Sequence, residues 1–250
     1  MPGETYFIAS PGDYQKALRT GIKSIGLNYR IFGDGTLRRA STATISHGDI
    51  LGISDCSMEC VPEKYEALFD DILYEATDKK CSGILLDLQN TSNEMFPFIS
   101  ILSQFLYQHG IKHYVPLRFH SAAPYAELIA ECAVSGGSLD NFYQYVCSRN
   151  IGRNISFMIN PICMDFKMPS YSPEGKPISY GELGNLMQTY SPMVFFSGEL
   201  VGKYFTYRQS DGDFHFVLFD DKSTIQEKMH FFHQKNDNPV FIMYSDCGIF

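Results

Sequence analysis

The sequence predicts an α/β fold built on parallel strands, and three observations carry that reading. Eight short apolar runs recur along 250 residues, most of them four to seven residues long. Segments of helical period separate most of the runs. Gly, Pro and Asp punctuate the boundaries where turns belong, as at Gly21, Asp34-Gly35 and Gly110. Strands that alternate with helices fit a (β/α)₈ barrel of parallel strands, and they fit an open doubly wound sheet equally well.

The elements follow in order. Tyr6–Ala9 reads as the first strand, and Asp13–Thr20 as a helix with Asp13 at its N-cap and Gly21 at its stop. Ser24–Asn28 is the second strand and Asp49–Ser54 the third. Pro62–Lys79 is the clearest helix: Tyr65, Leu68, Phe69, Ile72, Leu73 and Ala76 share one face, and Pro62 sits where a missing N–H costs nothing. Gly83–Leu88 is the fourth strand, Phe98–His109 a helix and His113–Phe119 the fifth strand. Two helices are expected next, Pro124–Val134 and Leu139–Ser148, split by Gly136-Gly137. Ser156–Asn160 is then the sixth strand, 164–182 a long loop, Ser179–Gln188 a helix and Met193–Phe196 the seventh strand. Tyr204–Arg208 and Phe214–Phe219 form a β-hairpin after that strand, around Ser210-Asp211-Gly212-Asp213. Ser223–Lys235 is the last helix and Val240–Tyr244 the eighth strand.

Composition narrows the function classes. The chain is 44% hydrophobic, enough for one large core, and its net charge of −8 argues against general nucleic-acid binding, which needs a basic face. No apolar run reaches the roughly 18 residues of a membrane helix, and no signal peptide is visible at the start, so the expected location is cytoplasmic. The seven cysteines (56, 60, 81, 132, 147, 163 and 247) include no Cys-x-x-Cys and read as free thiols of a reducing compartment. Cys56 and Cys60, with His47 and Glu59 nearby, would make a zinc site only if all four converged, and buried free thiols are the commoner reading. No metal and no cofactor are expected. Ser10-Pro11-Gly12 lacks the glycine spacing and lysine of a phosphate loop and reads as a turn.

The chemistry concentrates in Ser82-Gly83-Ile84-Leu85-Leu86-Asp87-Leu88-Gln89. Side chains alternate along a strand, so Asp87 and Gln89 point to the same face. At the C-terminal end of a barrel strand, that face is where sites are built. Other polar residues expected at strand ends are Asn28, Tyr29, Asp55, Arg118, His120, Asn160, Glu199 and Asp246. Tyr171, Tyr180, Tyr204, Phe205 and Tyr207 could stack on the ring of a ligand, although hairpin packing explains each one singly.

This stretch resembles the fourth-strand signature of the family 18 glycoside hydrolases, Asp-Gly-x-Asp-x-Asp-x-Glu. A second resemblance lies further on. Lys203-Tyr204-Phe205-Thr206-Tyr207 and Gly212-Asp213-Phe214-His215-Phe216-Val217-Leu218-Phe219-Asp220-Asp221, with Ser223 after them, are similar to a hairpin and helix start of the bacterial spore-germination and cortex-lytic branch. The resemblance covers residues 50–250 and implies a single (β/α)₈ barrel domain over 1–250. It implies a substrate-assisted mechanism, in which the last Glu of the signature is the general acid and the preceding Asp orients the substrate's acetamido nucleophile.

Against that pattern Asp87 keeps the orienting position, Gln89 stands at the acid position, Leu85 replaces the inner Asp and Ser82 the first. An amide has no acidic proton to give near neutral pH. The sixth-strand Met-x-Tyr-Asp of the family is met by Met158-Ile159-Asn160-Pro161. The last-strand Trp is met by Met243 in a chain with no Trp. The resemblance therefore implies a catalytically impaired relative that binds an N-acetylglucosamine-containing glycan of chitin or peptidoglycan type, through Asp87, Gln89, Asn160, Glu199, Met243, Tyr244 and Asp246. Two alternatives stand beside it: a structural or protein-interaction barrel associated with sporulation, and an active glycosidase whose acid has moved to Glu199, Asp246 or Asp87.

Overall fold

A computed structural model of the chain describes residues 3–56, 61–169, 175–210 and 212–244. Glu59, Cys60, Tyr171, Asp211, Asp246 and Cys247, on which expectations above rest, lie outside them. The elements in chain order are β1 (Thr5–Ala9), α1 (Tyr14–Arg19), β2 (Lys23–Gly26), β3 (Tyr29–Phe32), β4 (Leu37–Arg39), β5 (Ile50–Cys56), α2 (Tyr65–Asp78), β6 (Gly83–Asp87), α3 (Met95–Gln108), β7 (His113–Pro116) and β8 (Glu127–Cys132). They continue as α4 (Leu139–Arg149), β9 (Ile155–Ile159), β10 (Cys163–Met168), β11 (Lys176–Pro177), α5 (Tyr180–Tyr190), β12 (Phe195–Ser197), β13 (Gly202–Arg208), β14 (Phe214–Phe219), α6 (Lys222–Lys235) and β15 (Val240–Met243).

The main sheet runs β2-β1-β15-β9-β8-β7-β6-β5-β3-β4, parallel throughout except for the β3–β4 pair. Its order begins with β2 and nearly ends with β3, yet these are two halves of one stretch, residues 23–32, broken at Leu27-Asn28. The sheet therefore curls until its ends meet. The seam is tight: a methyl group on Gly52 of β5 would lie 2.4 Å from the Gly26 carbonyl oxygen, so only glycine fits. Counting 23–32 as one, eight strands make the barrel.

Alternation sorts the strand residues into two layers. Ile8, Ile25, Ile50, Leu85, Ile129, Met158 and Phe241 fill the barrel interior. Their chain neighbours, among them Phe7, Leu51, Leu86, Leu128, Phe157 and Ile242, pack outward against the helices. At the N-terminal end of the interior Glu127 is buried, with the Lys112 ammonium 2.9 Å from Oε2 and the Ser156 hydroxyl donating to Oε1 at 2.6 Å.

Three expectations are corrected here. Pro124–Val134 is not a helix; Glu127–Cys132 is the sixth barrel strand. Its Ala and Leu content favours a helix locally, but both faces of the segment are buried between β7 and β9, and tertiary context decides. The segment 155–159 is consequently the seventh strand, not the sixth. Met193–Phe196 is not a barrel strand: Phe195–Ser197 lies at the edge of a second sheet and its apolar side chains are exposed.

That second sheet, ordered β11-β10-β14-β13-β12 and antiparallel, sits in the chain between β9 and β15. Part of the expected loop 164–182 is thus strand, β10 and β11. Helix α5, closed at its start by a capping box of Ser179 and Glu182, buries Leu183 against Phe205, Tyr207 and Val217. Tyr204 packs between Phe195 and Phe216 on the other face, and the Tyr207 hydroxyl donates to Asp165 at 2.8 Å, so the hairpin aromatics pack within the sheet.

Candidate functional site

The C-terminal mouth of the barrel gathers inward-facing side chains from six strands. Asp87 continues the inner phase of Leu85, Glu131 that of Ile129, Asn160 that of Met158, and Met243 that of Phe241. From the β3–β5 side come Arg30 and Ser54, since Tyr29, Ile31 and Ile53 pack in the outer layer.

At the centre the Gln89 side-chain amide donates to Asp87 Oδ1 at 2.9 Å. The turn that carries Gln89 is fixed from two sides. Asp55 accepts from the backbone N–H groups of Gln89 (2.6 Å) and Asn90 (2.9 Å). Arg118 donates to the carbonyl of Leu88 and, at 3.4 Å, to that of Asn90, while its guanidinium lies 4.8 Å from the Phe119 ring centre. Asp55 and Arg118 are thus positioning residues. Across the mouth the Asn160 amide donates to Glu131 Oε2 at 3.2 Å, and its buried Oδ1 has no hydrogen-bond partner among the described residues.

Burial raises the Asp87 carboxyl above its ordinary range; the Gln89 hydrogen bond works against that, while the nearby Glu131 and Asp55 carboxylates add to it and Arg118 opposes it. Asp87 therefore holds its proton more tightly than an exposed aspartate does. Its carboxyl oxygens, the Gln89 and Asn160 amides and the Glu131 carboxylate together offer donors and acceptors suited to hydroxyl and acetamide groups.

Several expected site residues fall elsewhere. Tyr29 faces outward and its hydroxyl bonds Glu75 of α2. The break at Leu27-Asn28 shifts the phase, which brings Arg30 into the mouth instead. Glu199 follows the edge strand β12, not a barrel strand, and its carbonyl accepts from Leu139 N–H at 2.8 Å. Tyr244 packs against Phe7 in the outer layer, ring centres 5.4 Å apart. His120 is exposed and its carbonyl receives the Arg153 guanidinium at 2.8 Å. Asn160 follows the seventh barrel strand, not the sixth, whose end carries Ala130-Glu131-Cys132. Sequence reasoning missed Glu131, although the period-two pattern Glu127-x-Ile129-x-Glu131 carries the signal. Among the described residues no group of three or more His, Cys, Asp or Glu side chains is placed to hold a metal ion, and no helix is long and apolar enough to cross a membrane.

No protein-family model matches the chain, and no curated protein matches it in sequence. Solved structures do match in fold. The spore cortex-lytic enzyme SleL of Bacillus cereus superposes with a TM-score of 0.70 at 14% identity, over 99% of this chain and 71% of that one. A chitinase from Chromobacterium violaceum gives 0.65 at 17% identity, over 98% and 94%. A doubly mutated GH18 chitinase from Cycas revoluta, one substitution being glutamate to glutamine, is in complex with (GlcNAc)4 and gives 0.63 at 10% identity, over 99% and 96%. The chain therefore has the barrel fold seen in the family 18 glycoside hydrolases.

Proposed function

We propose that the barrel mouth binds an N-acetylglucosamine-containing glycan, of chitin or peptidoglycan type, and does not hydrolyse it by the substrate-assisted route. The observation that carries this reading is the Asp87–Gln89 pair on the inner face at the mouth, with the amide hydrogen-bonded to the carboxyl. Asp87 stands where an acetamido group would be oriented. Gln89 stands where a leaving group would be protonated, and it lacks the proton. General acid catalysis typically supplies about 10²–10⁴-fold, so its loss suppresses turnover while leaving polar contacts for binding. The fold neighbours support this reading: SleL is a spore cortex-lytic enzyme, and the Cycas revoluta chitinase is bound to (GlcNAc)4.

Glu131 supports a second reading, an active glycosidase with a moved acid. It is the carboxylate beside Asp87, in the part that Glu199 was expected to take. A calorimetric titration of the chain with N-acetylglucosamine oligomers, paired with an assay for new reducing ends, separates the two. Saturable heat that disappears in Asp87→Ala, with no new reducing ends, is the expected result. Reducing ends that vanish in Glu131→Gln would establish turnover instead. No heat with any oligomer would overturn the glycan reading and leave the protein-interaction barrel.

A further inference from the structure

We propose that Arg30 makes the mouth selective for a glycan that carries a carboxylate on or beside its N-acetyl sugar, over a neutral one. The inference rests on the glycan reading above and names the class of glycan.

Its basis is a row of three inward side chains at one level of the barrel. Arg30 is in register with Ser54, and Ser54 with Asp87, on adjacent parallel strands. Neighbouring strands are about 4.8 Å apart, so the Arg30 and Asp87 backbones stand roughly 10 Å from one another. An N-acetyl group at Asp87 and an anionic substituent at Arg30 can therefore belong to one ligand.

The Arg30 charge is uncompensated among the described residues. Its Nε reaches the Ser54 hydroxyl at 3.4 Å, the outer limit of a hydrogen bond, and no carboxylate lies within ion-pair distance. Arg38, its cross-strand partner on β4, is held by Asp34 and lies over the Phe32 ring, 4.7 Å from the centre. Arg118, the cation that bears on Asp87, is turned to backbone carbonyls. Arg30 alone of the three is left with its guanidinium fork open to a ligand in the mouth.

A neutral N-acetylglucosamine oligomer gives that fork only hydroxyl and carbonyl acceptors, and covering a half-buried cation without an anion loses hydration that nothing replaces. A carboxylate accepts two parallel N–H bonds from the fork, roughly twice as strong as neutral ones.

The test is a titration of the full chain with three tetrasaccharides: the neutral N-acetylglucosamine oligomer, the alternating N-acetylglucosamine–N-acetylmuramic acid oligomer, and the methyl ester of the latter. We expect the acid to bind about tenfold tighter than both the ester and the neutral oligomer. In Arg30→Met the three affinities should converge on that of the neutral oligomer, and Arg30→Lys should recover part of the preference. Equal affinity of the unaltered chain for acid and ester would overturn the proposal while the glycan reading stood. So would a preference that survives in folded Arg30→Met. If Arg30→Met fails to fold, the comparison of acid with ester on the unaltered chain decides alone. No binding of any of the three would overturn both readings.

Discussion

At Asp87 one side chain serves two opposed demands. It sits far enough inside the mouth that burial disfavours its charge, yet Gln89, its hydrogen-bond partner, favours the charge. The raised carboxyl sets the sign of its linkage to stability. The folded chain holds this proton more tightly than the unfolded chain, so the contribution is fully present at acidic pH and is lost as pH rises through the raised value. Ionised Asp87 therefore destabilises the fold near neutrality. Asp87→Asn keeps an acceptor for Gln89 and removes the buried charge. Its melting temperature should exceed that of the unaltered chain near pH 7 and converge with it below about pH 4, where an ordinary aspartate is protonated. A melting temperature that falls near pH 7 but not below about pH 4 would mean that Asp87 is held as an anion. Asp87 and Gln89 were legible in the sequence because alternation alone puts them on one face. Arg30 was not: its phase depends on the two-residue break at Leu27-Asn28, which no local pattern marks.

Elements were legible where one face is polar and the other apolar. Helices α2 and α3 bury the stripes that their spacing announces, Leu68, Phe69 and Ile72 in one, Phe98 and Leu102 in the other. β8 lost that signal. Its inner Glu127 and Glu131 sit at the two ends of the barrel while its outer Leu128 and Ala130 are buried, so the alternation reads equally as a short helix stripe. The Phe219-Asp220-Asp221 run shows how a family-like motif acquires physical content. The Asp221 carboxylate accepts from Thr224 N–H at 3.1 Å and caps α6. Asp220, 1% exposed, accepts from Lys228 Nζ at 2.7 Å on each oxygen, and also from the Thr224 hydroxyl and Ile162 N–H. One carboxylate thus ties α6 to the segment leaving β9. Asp220→Ala would strand a buried ammonium and should cost about 3–5 kcal/mol in urea unfolding. The double variant Asp220→Leu/Lys228→Met should recover most of that loss. A single-variant cost below about 1 kcal/mol would show that water reaches Lys228 and that the pair does not bear on the fold.

For the molecule as a whole, the α/β class was legible through eight alternating units, two of them assigned to the wrong segments, while the choice of a barrel over an open sheet rested on the resemblance. What pattern cannot give is closure, because that depends on pairings between residues far apart in the chain. β1 is hydrogen-bonded on one side to β2 and on the other to β15, with Thr5 opposite Val240 and Ile8 opposite Met243. A chain ended at Lys235 would lack β15 and leave β1 and β9 with bare edges. It should form concentration-dependent aggregates by light scattering, whereas the full chain stays monodisperse under the same conditions. The same arrangement bears on synthesis. Chains fold from the N-terminus as they leave the ribosome, at about 5–20 residues per second. β1 is made before the other barrel strands and its second partner, β15, after them, so the nascent ring stays open until β15 is made. The mouth of the barrel can take shape only once that final strand has slid into place.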